Sequence, residues 1–95
     1  MKSAYQIDII TKIKRIREEH HYSQMKLANE LNISCGQLGN IESPKTNYKY
    51  TLRQLKIICE LFKIQIEQIF FEESDYKEND IINVLINKII KYENK

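Results

Sequence analysis

Apolar residues recur along this chain with the spacing of one helical face, broken by capping residues that mark where each helix starts. Ile9, Ile13 and Ile16 fall at i, i+4 and i+7, and Ser3 with Gln6 ahead of them has capping-box spacing. This predicts a first helix over about 4–20. Ser23 is an N-cap for a second helix over about 24–31, with Leu27 and Leu31 inward and Asn32 as a residue that tolerates the left-handed turn ending it. Ser34 and Gln37 repeat the capping box for a third helix over about 35–42, whose inward residues are Leu38 and Ile41 and which Pro44 stops. Thr51 and Gln54 open a fourth helix with the stripe Leu55, Ile58, Cys59 and Phe62, and Tyr50 with Leu55 has the spacing of a hydrophobic staple. Ile64, Ile66, Ile69 and Phe70 suggest a short fifth helix. An acidic stretch from Glu72 to Asp80 leads to a last helix over about 79–93. The predicted fold is all-α: a five-helix domain over 4–71, an acidic connector over 72–78 and a C-terminal helix over 79–93.

Composition narrows the picture. The 95 residues make one small domain, and two Gly and one Pro are too few for the turns of a sandwich or barrel. Residues 1–50 carry eight Lys/Arg against five Asp/Glu, a balance of +3, whereas 51–95 carry seven against eight, −1. The N-terminal half is therefore the better candidate for meeting phosphate. Cys35 and Cys59 form no CxxC pair, and the adjacent His20 and His21 point apart on a helix, so neither a disulfide framework, a zinc site nor any cofactor is expected. No apolar run reaches the roughly 18 residues of a membrane span, and no signal peptide precedes the first helix. The expectation is a soluble protein of a reducing cytoplasm. No nucleophile–base pairing or phosphate-cradling glycine loop points to an enzyme.

The informative segment is Gln24 to Glu42. Two short helices meet at a tight turn; Ala28 lies where they cross, Asn32 sits where the backbone needs positive φ, and Leu27, Leu31, Ile33, Leu38 and Ile41 lock the crossing. Around it stand Arg17, Ser23-Gln24, Leu27-Ala28, Asn32-Ile33-Ser34 and Ile41-Glu42. In this order and spacing, Ile13 to Ile69 resembles the five-helix domain of phage-repressor and Cro-type (XRE-type) helix-turn-helix regulators.

The resemblance implies a transcriptional regulator, expected to be a repressor, that binds double-stranded DNA with the third helix in the major groove. It further implies a structural ion pair between Arg17 and Glu42, a phosphate contact and brace at Gln24, and base-reading positions at Cys35, Gly36, Gln37 and Asn40. Ser23 and Ser34, at the helix N-termini, join that set. Asn and Gln suit adenine. Cys35 and Gly36 depart from the long polar residues usual there; Cys35 is also a candidate redox switch. Gly36 suggests close approach to DNA and Gly39 close helix packing. Ser43-Pro44 replaces the family's usual glycine, and Lys45, Asn47, Lys49 and Tyr50, with Tyr48 a weaker candidate, are expected to meet phosphates.

The last helix lies outside this resemblance. Ile81, Leu85, Ile89 and Tyr92 form one stripe, widened by Ile82, Ile86 and Ile90. So broad a surface must be covered, either by the helix's own domain or by a second chain. Since one reading helix covers one half-site, a homodimer through this stripe is the favoured expectation. An antitoxin-like or phage-related module that binds another protein through this helix is the alternative.

Overall fold

The structure is a computed structural model that describes residues 1–94. Six α-helices make it up: α1 (Ala4–Glu19), α2 (Gln24–Leu31), α3 (Cys35–Glu42), α4 (Leu52–Phe62), α5 (Ile66–Phe70) and α6 (Ile81–Glu93). The acidic connector holds a single 3-10 turn, Glu73–Lys77. There is no strand among the described residues.

The helices begin as their side chains dictate. In α1 the Gln6 amide donates to Ser3 Oγ at 3.1 Å while the Ser3 amide donates to Gln6 Oε1 at 2.9 Å. Ser34 with Gln37 and Thr51 with Gln54 build the same reciprocal pair on α3 and α4. Each pair satisfies two of the amide donors that a helix start leaves orphaned.

The ends divide into two classes. α1, α2 and α4 close through one left-handed residue each: His21 at φ 59°, Asn32 at 58° and Lys63 at 55°. In each case the next amide reaches back five residues: Tyr22 to Arg17, Ile33 to Ala28 and Ile64 to Cys59, all at 3.0 Å. This is the Schellman arrangement, and the apolar residue that makes the bond packs on the core. With both glycines inside α3, these left-handed positions fall to His, Asn and Lys. By contrast α3, α5 and α6 run out into extended residues, Ser43, Phe71 and Asn94. Their last carbonyls are met by lysines from elsewhere in the chain: Lys2 at α3, Lys12 at Ile69 of α5 (2.9 Å) and Lys49 at Glu93 of α6 (2.9 Å). An ammonium at a helix C-terminus also answers the negative end of its dipole.

The core gathers Ile9, Ile10 and Ile13 of α1, Leu27 and Ala28 of α2, Leu38 and Ile41 of α3, Leu55, Ile58 and Phe62 of α4, and Ile69 and Phe70 of α5. α6 completes it and so corrects an expectation. Tyr92, taken as a dimerisation residue, is fully buried within its own chain. Its ring meets Phe70 edge-on at 5.8 Å and its hydroxyl donates to the Tyr50 carbonyl at 3.1 Å. Leu85 and Ile89 are half-buried on the same core, whereas Ile81, at the start of the helix, is 38% exposed. Leu85, Ile89 and Tyr92 of the stripe are thus the inward face of α6, while Ile81 stays exposed. Gln6 holds the same helix end, donating through Nε2 to the Tyr92 (2.7 Å) and Asn94 (2.8 Å) carbonyls. Ile82, Ile86 and Ile90 form the outer face, 73%, 48% and 51% exposed. No helix among the described residues is long and apolar enough to cross a membrane.

Candidate nucleic-acid interface

α2 and α3 pack through Leu27, Ala28, Leu31 and Leu38, all buried. Asn32 takes the left-handed turn between them, and Ser34, extended, starts α3 at once. With Leu38 and Ile41 turned inward, the 3.6-residue period leaves Cys35, Gly36, Gln37 and Asn40 on the solvent side, and all four are exposed.

These four are chemically unequal. Gln37 Oε1 accepts the Ser34 amide at 2.8 Å, which commits one of its two lone pairs and fixes its direction, while the NH2 group stays free. A bidentate contact to adenine needs the amide oxygen and nitrogen together. Gln37 can therefore donate, to a purine N7 or a guanine O6, without breaking its cap. The Asn40 backbone carbonyl is bonded, and neither side-chain group of Asn40 has a hydrogen-bond partner among the described residues. Cys35 is an exposed free thiol. A Cβ at Gly39 would meet nothing within 4 Å, so close packing is not why glycine stands there, which corrects the sequence expectation. At Gly36 a Cβ would meet only Ser34 Oγ, at 3.9 Å.

The far end of α3 is fixed by polar contacts. Arg17 Nε lies 2.9 Å from Glu42 Oε2, and both side chains are nearly inaccessible. Arg17 also donates to Glu42 Oε1 at 3.2 Å and to the Tyr22 carbonyl at 2.6 Å. Gln24 Nε2 donates to Glu42 Oε1 at 2.8 Å. Gln24 is thus engaged as a brace between the start of α2 and the end of α3. Ser23 and Ser34 spend their hydroxyls accepting the Lys26 and Gln37 amides, and both remain exposed.

The loop that follows departs most from expectation. Lys45 and Asn47 are exposed. Tyr50, expected at phosphate, is wholly buried, and its hydroxyl has no hydrogen-bond partner. Burial, reinforced by the Glu42 carboxylate, pushes that phenol far above its usual pKa. It fills the core as the staple partner of Leu55 and cannot reach DNA. Lys49 is bound to the Glu93 carbonyl, so a phosphate would have to draw it away from α6. Tyr48 instead stands out at 64% exposure. It lines a shallow groove of about 250 Å3 beside Gln37, Asn40, Lys49 and Ile33. A larger groove, between Tyr5 of α1 and Ile90 of α6, includes no residue of α3.

Spacing did not reveal Lys2. This buried residue sends its ammonium under the end of α3, to the carbonyls of Asn40 and Ser43 and to Thr46 Oγ1. Among the described residues, no group of three His, Cys, Asp or Glu is placed to hold a metal.

No protein-family model, curated protein or solved structure matches this chain.

Proposed function

We propose that this chain is a sequence-specific regulator of transcription of the phage-repressor/Cro type, binding double-stranded DNA as a repressor with α3 in the major groove. The observation that carries the reading is the outer face of α3. It offers Asn40 with a complete amide and Gln37 with a free NH2 group, on a helix anchored along its inner side and at its far end. Asn40 reads adenine, and Gln37 reads a purine acceptor one helical turn nearer the start. Cys35 and Gly36, short and exposed, let the helix start approach the groove floor. Lys45 and Asn47 supply phosphate contacts, which give affinity without sequence information.

Selection from a random duplex library tests this. The expected result is an enriched two-fold motif that loosens at one position in Asn40→Ala and at a neighbouring one in Gln37→Ala. Salt-sensitive binding with no motif would overturn it.

A two-fold motif requires two copies, since each α3 spans one half-site. The outer face of α6, Ile82, Ile86 and Ile90, is the apolar surface left for pairing. Ile86→Glu should convert a dimer into a monomer in sedimentation while moving monomer stability by no more than about 0.5 kcal/mol, as surface changes do. The same stripe favours a second reading, an antitoxin-like module docking a different protein; a monomeric wild type that still selects a DNA motif would turn attention there.

A further inference from the structure

Helix ends strand carbonyls, and α3 strands one for a specific reason. In a continuing helix the Asn40 carbonyl would accept the amide four residues on. That residue is Pro44, which has no N–H. The carbonyl is met instead by Lys2 Nζ at 3.3 Å and by the Thr46 hydroxyl. The Lys2 ammonium also binds the Ser43 carbonyl and, at 3.1 Å, Thr46 Oγ1. Three acceptors match its three N–H donors. The residue is 6% exposed, so this cation has given up water for protein oxygens. Desolvation accordingly lowers its pKa. The carbonyl it grips belongs to Asn40, and the loop it grips carries Lys45.

We propose that Lys2 is a positioning residue for base reading: it ties the last turn of α3 and the Ser43–Thr46 corner to the start of α1, so that Asn40 and Lys45 meet a duplex in one register. The role rests on the DNA-reading function proposed above. It differs from that of an ordinary basic residue, because all three donors point into the protein and none is left for phosphate.

Lys2→Met keeps most of the stem and removes the charge. Its affinity is measured across a salt series on the selected duplex and on a scrambled duplex of equal length. The expected result is a loss of about tenfold or more on the selected duplex, the scale of one base contact. On the scrambled duplex affinity should stay within about twofold, with the slope of log K against log salt unchanged, because no phosphate contact is lost. Equal losses on both duplexes with a shallower slope would make Lys2 a phosphate contact and overturn the proposal; so would unchanged affinity on both.

A second measurement needs no variant. In the free wild-type protein the Lys2 ammonium protons should exchange slowly by nitrogen-15 NMR and stay unchanged when the duplex is added. An ammonium that becomes protected only with DNA would overturn the proposal even if Lys2→Met fails to fold. A wild type that selects no motif would remove the DNA reading and the recognition role together. The free-protein exchange rate would still report whether the clamp exists.

Discussion

α2 and α3 are each eight residues long and each start on a serine, yet they end by opposite means. α2 finishes within its own sequence: Asn32 turns left-handed and Ile33 bonds back to Ala28. α3 finishes through partners far along the chain, Lys2 38 residues from Asn40, and Arg17 25 residues from Glu42. A local closure forms with its helix. A remote closure exists only when the whole domain does, so the end of the proposed reading helix is as stable as the fold and no more. The same division separates α1 and α4 from α5 and α6. Each remote end has at least one ionisable donor, with the neutral amides of Gln24 and Gln6 beside it at α3 and α6, so pH and charge substitutions test the contrast.

Alkaline pH should have the largest effect. Burial raises the Tyr5 phenol to about 12 and drives Tyr50 and Tyr92 higher still. A phenol whose folded pKa is raised binds its proton more tightly in the folded state. Its contribution is complete below the unfolded value of 10 and is lost as pH climbs beyond it. Lys2 and Lys12, lowered by desolvation, push the opposite way, because there the folded state holds its protons less tightly. The phenol shifts are the larger, so stability should fall steeply above pH 10, with the ring resonances of Tyr50 and Tyr92 showing ionisation only as helicity is lost. Ionisation of Tyr92 in a chain that stays helical would show that the α6 anchor is dispensable.

Next in size is Arg17→Met. It leaves Glu42 buried and unpaired, a loss of about 3–5 kcal/mol in urea unfolding. Pairing it with Glu42→Leu should return most of that. No recovery in the double variant would mean that the Tyr22 and Gln24 contacts matter more than the charge pair.

One substitution at a local end and one at a remote end separate the two kinds of closure. Asn32→Ala forces an ordinary residue into the left-handed region, and Lys12→Met removes a charged bond that is partly open to solvent. Each should cost about 1 kcal/mol. The distinction lies in amide exchange. Asn32→Ala should speed exchange around Ile33 alone, whereas Lys12→Met should loosen both α1 and α5. Local loosening in both cases would mean that the two kinds of helix end do not differ in reach.

The smallest effect is a gain. Gly39→Ala meets open space and should stabilise α3 by up to about 1 kcal/mol, the helix preference of alanine over glycine. Destabilisation would mean that the backbone at Gly39 cannot accept a side chain for a reason other than contact.

What was readable in the residues follows the same line. Capping boxes at Ser3, Ser34 and Thr51, the turn at Asn32 and the solvent face of α3 all rest on partners within a few positions, which spacing encodes directly. The apolar period of α6 showed that a face had to be buried. It could not say that Tyr92 would be drawn inward by the Tyr50 carbonyl, leaving Ile82, Ile86 and Ile90 outside. Lys2, Lys12 and Lys49 look like any surface lysine, because the carbonyl each reaches is fixed only by tertiary packing. For the candidate site, the outward positions of α3 were therefore legible, whereas the loop behind it was misjudged at Tyr50. That tyrosine satisfied two local patterns, a basic loop and a hydrophobic staple, and only the core could choose between them.

The bond from Tyr92 to the Tyr50 carbonyl also bears on the order in which the protein is made. It spans 42 residues, so the loop behind α3 leaves the ribosome well before the hydroxyl that will hold it. At roughly 5–20 residues per second the wait is a few seconds. During synthesis α2 and α3 can close on their local turn and Lys2 is already present for the Ser43–Thr46 corner, but the Tyr50 end of the loop stays unheld until the final helix emerges.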